Sequence, residues 1–140
     1  VLFRSAKLLS YFYGFDATVV HGQQIGRNIG FPTANLIPLV PEKIMPALGV
    51  YVVKVTIEDH LFHGMLNYGI KPTLDNSNEP LAEVHLLDFS GDLYGKTIRV
   101  EFLDRIRSEK KFSSLTELQE QLKKDKLFTI NTLKSHAFPS

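Results

Sequence analysis

Hydrophobic and polar positions follow two rhythms along this chain. Up to residue 103, apolar side chains gather in short β-prone runs about ten residues apart, with turn-forming residues between them. Beyond residue 113 they recur at helical spacing. The clearest run is 50–57, Val50-Tyr51-Val52-Val53-Lys54-Val55-Thr56-Ile57, whose β-branched side chains suit a pleated strand. Glu58-Asp59-His60 reads as a turn into a second run at 61–68, so these two runs form a hairpin. Other runs fall at 17–21, 81–89 and 97–103, with a polar loop at 69–80 and a turn at Ser90-Gly91-Asp92. A βαβ fold needs helical patterns between its strands, and none occurs before residue 113. An antiparallel sheet or barrel is therefore expected.

At the C-terminal end, Ser114 followed three residues later by Glu117 is a capping-box signature. Leu115, Leu118 and Leu122 then form one apolar stripe, as in a helix that lids an open barrel end. A second, short helical piece is expected over about 125–133. Before the first clear strand, Pro38, Pro41 and Pro46 impose an irregular, extended connection. The aromatic cluster Tyr11, Phe12, Tyr13 and Phe15 reads equally as an edge strand or as a linker remnant packed on the barrel.

Composition narrows the function classes. A chain of 140 residues with 44% hydrophobic and 22% charged residues makes one globular domain. The formal charge of +1 offers no broad basic surface, so no nucleic-acid partner is expected. With no cysteine there is neither a disulfide framework nor thiolate chemistry, which suits a cytoplasmic protein. No apolar run is long enough to span a membrane. The chain opens on Val1 without a signal-peptide pattern, so a fragment or processed chain is expected.

Candidate chemistry concentrates in two places. The first is 26–36, Gly26-Arg27-Asn28-Ile29-Gly30-Phe31-Pro32-Thr33-Ala34-Asn35-Leu36. Gly26 and Gly30 allow a backbone to approach a ligand closely, and Arg27 offers a donor fork for phosphate. Pro32 favours an extended path, on which Thr33 and Asn35 point the same way. A hydroxyl and an amide carbonyl side by side are neutral oxygen ligands for a hard cation such as Mg²⁺. The same residues also suit an ordinary turn, and the Gly-Lys-Ser/Thr ending of a P-loop is missing.

The second place is Glu83. Strand alternation sets Glu83 and His85 on one face with Leu81 and Leu87, and Ala82, Val84 and Leu86 on the other. A mid-strand carboxylate among apolar neighbours needs solvent or a partner, so a structural ion pair competes with a catalytic role. Arg107, Glu109, Lys110 and Lys111 fit a solvated charged face, and Phe112 a staple for the helix. The histidines show no zinc-ligand spacing, and no Ser/His/Asp arrangement stands out.

Taken in order, several blocks resemble the riboflavin kinase family, specifically the kinase module of bacterial bifunctional riboflavin kinase/FAD synthetases. They are Val19-Val20-His21-Gly22; Gly26-Arg27-x-x-Gly30-Phe31-Pro32-Thr33-Ala34-Asn35; Gly49-Val50-Tyr51; Asn67-x-Gly69-x-x-Pro72-Thr73; Glu83-x-His85-Leu86-Leu87-Asp88-Phe89; Gly91-Asp92-Leu93-Tyr94-Gly95; and Arg105-Ile106-Arg107-x-Glu109-x-x-Phe112. The resemblance spans nearly the whole chain and implies a closed six-stranded antiparallel Greek-key barrel with a C-terminal α-helix. Residues 1–140 then form a single kinase domain, with 1–16 as an N-terminal arm or linker remnant and 113–135 as the helical segment.

The resemblance further implies transfer of the ATP γ-phosphate to the 5′-hydroxyl of riboflavin, giving FMN and ADP. Thr33 and Asn35 would hold Mg²⁺ and the nucleotide phosphates, with Gly26, Arg27 and Gly30 folding over them. Glu83 would be the general base, Arg107 and Phe112 would belong to the loop that closes on the flavin, and Tyr94 would line the nucleotide edge. The N-terminal arm fits the family pattern poorly, and an adenylyltransferase domain would lie upstream in a full-length protein. Rival readings are a non-catalytic flavin- or nucleotide-binding barrel and an oligonucleotide-binding barrel.

Overall fold

The computed structural model describes residues 14–20, 31–41, 44–70 and 79–136, and among these six antiparallel strands are followed by one helix. The elements are β1 (Gly14–Val20), β2 (Ala34–Pro38), β3 (Gly49–Ile57), β4 (His60–Ile70), β5 (Pro80–Leu86), β6 (Thr97–Arg107) and α1 (Leu115–His136). The strands close into a barrel in the order β1-β2-β5-β4-β3-β6. Strands β3, β4 and β5 run as a meander and β6 returns beside β3, which is the Greek-key arrangement.

Period-two alternation decides what lies inside. Phe15, Ala17, Val19, Leu36, Tyr51, Val53, Val55, Leu66, Ala82, Val84, Ile98, Val100 and Phe102 form one buried cluster. The Phe102 ring sits 5.6 Å from Phe15 and 5.0 Å from Tyr51, centroid to centroid. The β3–β4 hairpin turns on Glu58 and Asp59, with φ of 49° and 71°, as a two-residue hairpin turn requires. His60 already pairs with Ile57, so it belongs to the strand and not to the turn.

Three elements differ from the sequence reading. Residues 14–16, placed in the arm, are strand: Gly14 pairs with Glu101 and Phe15 with Val100 of β6. The segment 34–38, read only as an extended connection, is β2, held between β1 and β5. The C-terminal helix is one piece of 22 residues instead of two. Its start is capped as expected: the Glu117 N–H donates to Ser114 Oγ at 3.1 Å, and Glu117 Oε1 accepts from the Ser113 N–H at 3.1 Å.

Helix α1 packs on β4 and β6, along the barrel's outer wall. Val50, Val52, Met65 and Leu103 are buried yet stand apart from the inner cluster, forming a second small core on that side. The stripe facing this wall begins with half-buried Leu118 and Leu122, then becomes polar at Asp125, Thr129 and Thr132, all buried. Leu115, Leu127 and Phe128 are exposed instead.

Candidate functional site

The register of the sheet brings the singled-out residues onto one line. Asn35 of β2 lies opposite Glu83 of β5, which lies opposite Asn67 of β4. Asn67 lies opposite Val50 of β3, and Val50 opposite Arg107 of β6. Their neighbours Leu36, Ala82, Leu66 and Tyr51 point into the barrel, so this row faces outward. Opposed residues on one face have Cβ atoms about 4.5–5.5 Å apart. Glu83 therefore stands between two carboxamides, and at 9% exposure it is nearly withdrawn from solvent despite its outward position. Arg107 is three interstrand steps of about 4.8 Å from Glu83, or about 14 Å along the wall, too far to touch it directly.

Thr33 is half-buried, one residue before β2, where the chain is pinned from the other side. His85, two residues beyond Glu83, bonds through Nδ1 to the Pro32 carbonyl at 2.7 Å. The His85 ring also meets Phe31 edge-on at 5.4 Å. One face of β5 thus holds both the acid and the clamp on the Pro32-Thr33 segment. Burial lowers the His85 pKa; the bond to Pro32 opposes this and the Lys126 charge adds to it. Burial and then Lys54 likewise lower that of His63, whose Nε2 is buried without a partner.

Tyr94 is exposed, and its N–H donates to Asp92 Oδ1 at 2.9 Å. The turn it occupies is tied to β1, because the Gly95 N–H donates to the Val19 carbonyl at 2.9 Å. Tyr94 thus belongs to the part of the barrel beyond β2, on the Asn35 side of the row.

Arg107 and Phe112 come together at the other end, with the guanidinium carbon 5.8 Å from the ring centroid. The guanidinium is engaged by Asp125 of α1: Nη2 to Oδ2 is 2.8 Å and Nε to Oδ1 is 3.0 Å. Gln121 Nε2 adds a third donor to the same carboxylate at 3.0 Å. Asp125 is 1% exposed, and the sequence reading did not single it out. Its signal was position: it continues the spacing of Leu118 and Leu122 onto the buried stripe, where an acid demands a partner. Nearby, the Glu109 carboxylate fills the space a Cβ on Gly69 would take, and accepts from the Ile70 N–H at 3.2 Å. This closes the 108–112 segment onto the end of β4, beside Asn67.

Gly26, Arg27 and Gly30 lie outside the described residues, as do Tyr11, Phe12, Tyr13, His21, Pro72 and Thr73. A separate cavity of about 230 Å³, lined by Phe15, Val40, Met45 and Phe102 among others, contains none of the candidate residues. No helix among the described residues is long and apolar enough to cross a membrane.

The fold is a small Greek-key β-barrel domain that carries a shielded acid between two carboxamides on its outer wall. Comparison with known proteins gives its family: the riboflavin kinase profile matches residues 9–133, and the chain belongs to the riboflavin kinase family. It is 44% identical over 121 residues to the bifunctional riboflavin kinase/FMN adenylyltransferase of Bacillus subtilis, covering 85% of this chain and 38% of that protein. It is 46% identical over 110 residues to the RNA-binding riboflavin kinase RibR of the same organism, covering 77% of this chain and 46% of that one. Among solved structures, a Streptococcus pneumoniae protein described as a macrolide-efflux protein superposes with a TM-score of 0.81 at 43% identity, covering 93% of this chain and 42% of the other. The chain thus spans about two fifths of the length of the bifunctional relatives, and its similarity to them lies in the kinase module.

Proposed function

We propose that this domain is a riboflavin kinase, transferring the ATP γ-phosphate to the 5′-hydroxyl of riboflavin to give FMN and ADP. The observation that carries the reading is Glu83: nearly buried in mid-strand and set opposite Asn35. Phosphoryl transfer asks a protein mainly for alignment and charge neutralisation, because its transition state is loose. Glu83 is the base that orients the hydroxyl and takes its proton as the new P–O bond forms and the bond to ADP breaks. Thr33 and Asn35 face the phosphates, with Gly26, Arg27 and Gly30 over them and Tyr94 at the nucleotide edge. Arg107 and Phe112 border the flavin.

Thr33 and Asn35 offer neutral oxygens, and among the described residues no cluster of His, Cys, Asp and Glu suits a metal. This donor set fits Mg²⁺ that arrives with nucleotide oxygens as its remaining ligands. The ion, so held, supplies charge neutralisation at the phosphate oxygens. The domain works in the cytoplasm, and beside an adenylyltransferase domain where it is fused to one, as in the relatives named bifunctional riboflavin kinase/FMN adenylyltransferase.

Incubation with riboflavin, ATP and Mg²⁺ tests the reading. FMN and ADP are expected in equal amounts. Flavin binding without FMN formation would instead support the rival, a barrel that binds ligand without turning it over.

A further inference from the structure

The row that holds Glu83 contains one polar residue to which no role has yet been given. Asn67 is the cross-strand neighbour of Glu83 on the side away from Asn35. Its Oδ1 is shut off from solvent and accepts no hydrogen bond. A buried acceptor left unpaired costs about 1–3 kcal/mol, and most native side-chain acceptors avoid this. The side chain as a whole is only half-buried. Because the terminal torsion of asparagine is broad, a small rotation turns Oδ1 toward the outer face of the wall.

We infer that Asn67 is a specificity-determining contact for the polyol chain of the acceptor, its Oδ1 accepting a hydrogen bond from a hydroxyl adjoining the one phosphorylated. The geometry follows from the row. With the phosphates on the Asn35 side and the 5′-hydroxyl at Glu83, the rest of the acceptor must run toward β4, β3 and β6. Asn67 is the first side chain on that path, about 5 Å from Glu83 at Cβ. Val50, the next residue in the row, has no polar group. Asn67 is thus the row's polar contact between the base and Arg107. A site built to pair a hydroxyl discriminates strongly against a molecule that lacks it, because its own polar group is then left unpaired.

The inference rests on the kinase reading above, and its test separates the two. Asn67→Leu keeps the side-chain size and removes the unpaired oxygen. Riboflavin binding to the wild type and the variant is followed by flavin fluorescence, alongside lumiflavin, which has the same ring system and a methyl group in place of the polyol. The expected result is a 10- to 100-fold loss of riboflavin affinity in the variant, lumiflavin affinity unchanged, an unchanged KM for ATP, and an apo melting temperature equal to or above that of the wild type. Equal losses for both flavins together with a lower melting temperature would make Asn67 a structural residue and overturn the inference. So would unchanged riboflavin affinity. Asn67→Ser, which restores an acceptor, is expected to recover part of the discrimination; recovery no better than with leucine would also overturn it. A wild-type protein that forms no FMN would instead refute the kinase reading itself.

Discussion

Asn35 and Glu83 were both legible as candidates because of their residue types and immediate neighbours. What the sequence withheld was their partner lists. Alternation predicted that Glu83 shares a face with His85, and the structure agrees. Nothing in the local sequence says that His85 reaches the Pro32 carbonyl, 53 positions away, or that Asn67 stands beside the acid. Register is a property of three strands together, so it is invisible in any one of them. At this scale the metal assignment is testable. Asn35→Ala is expected to raise the Mg²⁺ concentration needed for half-maximal turnover several-fold. A magnesium titration matching the wild type would remove Asn35 from the ligand set.

Among the elements, the β3–β4 hairpin was readable because β-branched composition and the turn signal at Glu58-Asp59-His60 agree on it, although His60 proves to belong to β4. Strand β2 was not. It is five residues long, ends on Pro38, and acquires strand structure from pairing on both edges. The helix was readable at its start, through Ser114 and Glu117, but not as one unit. Asp125 interrupts the apolar stripe, and its bonds with Arg107 and Gln121 satisfy the buried acid as the helix continues through it. Removing one partner of a buried ion pair commonly costs about 3–5 kcal/mol, while replacing both with apolar residues often costs nothing. With Arg107 18% exposed at its side chain, the lower end of that range applies. Asp125→Ala is therefore expected to lower stability by about 3 kcal/mol in urea denaturation. The double variant Asp125→Leu/Arg107→Met should recover most of that loss while weakening flavin binding. A fully stable Asp125→Ala would mean that α1 is held by its apolar contacts alone.

For the whole molecule, strand spacing made an antiparallel sheet or barrel legible, whereas closure with six strands was implied only by the family resemblance, because β2 did not show in the pattern. Which wall the helix covers was not legible, since that depends on which outward-facing residues the finished barrel leaves apolar: Val50, Val52 and Met65. Two histidines on this outer wall make the fold sensitive to acid. Burial lowers the pKa of both His63 and His85 below the ordinary value of 6.5. The unfolded chain then binds more protons than the folded one just below that value. Stability is thus full above about pH 6.5 and falls as the pH drops through 6.5 toward the folded-state values. Melting temperatures measured between about pH 8 and 5 should show that decline, and His85→Gln together with His63→Gln should flatten it. An equally steep decline in the double variant would place the acid sensitivity elsewhere.

The role of the shielded acid is tested by comparing wild type and Glu83→Gln in steady-state FMN formation, with riboflavin and ATP affinities measured on the same preparations. The variant is expected to bind both substrates as the wild type does and to lose turnover on the order of 10²–10⁴-fold, the range a positioned general base contributes. Turnover close to wild type in the glutamine variant would show that the acid between the two carboxamides is not the base.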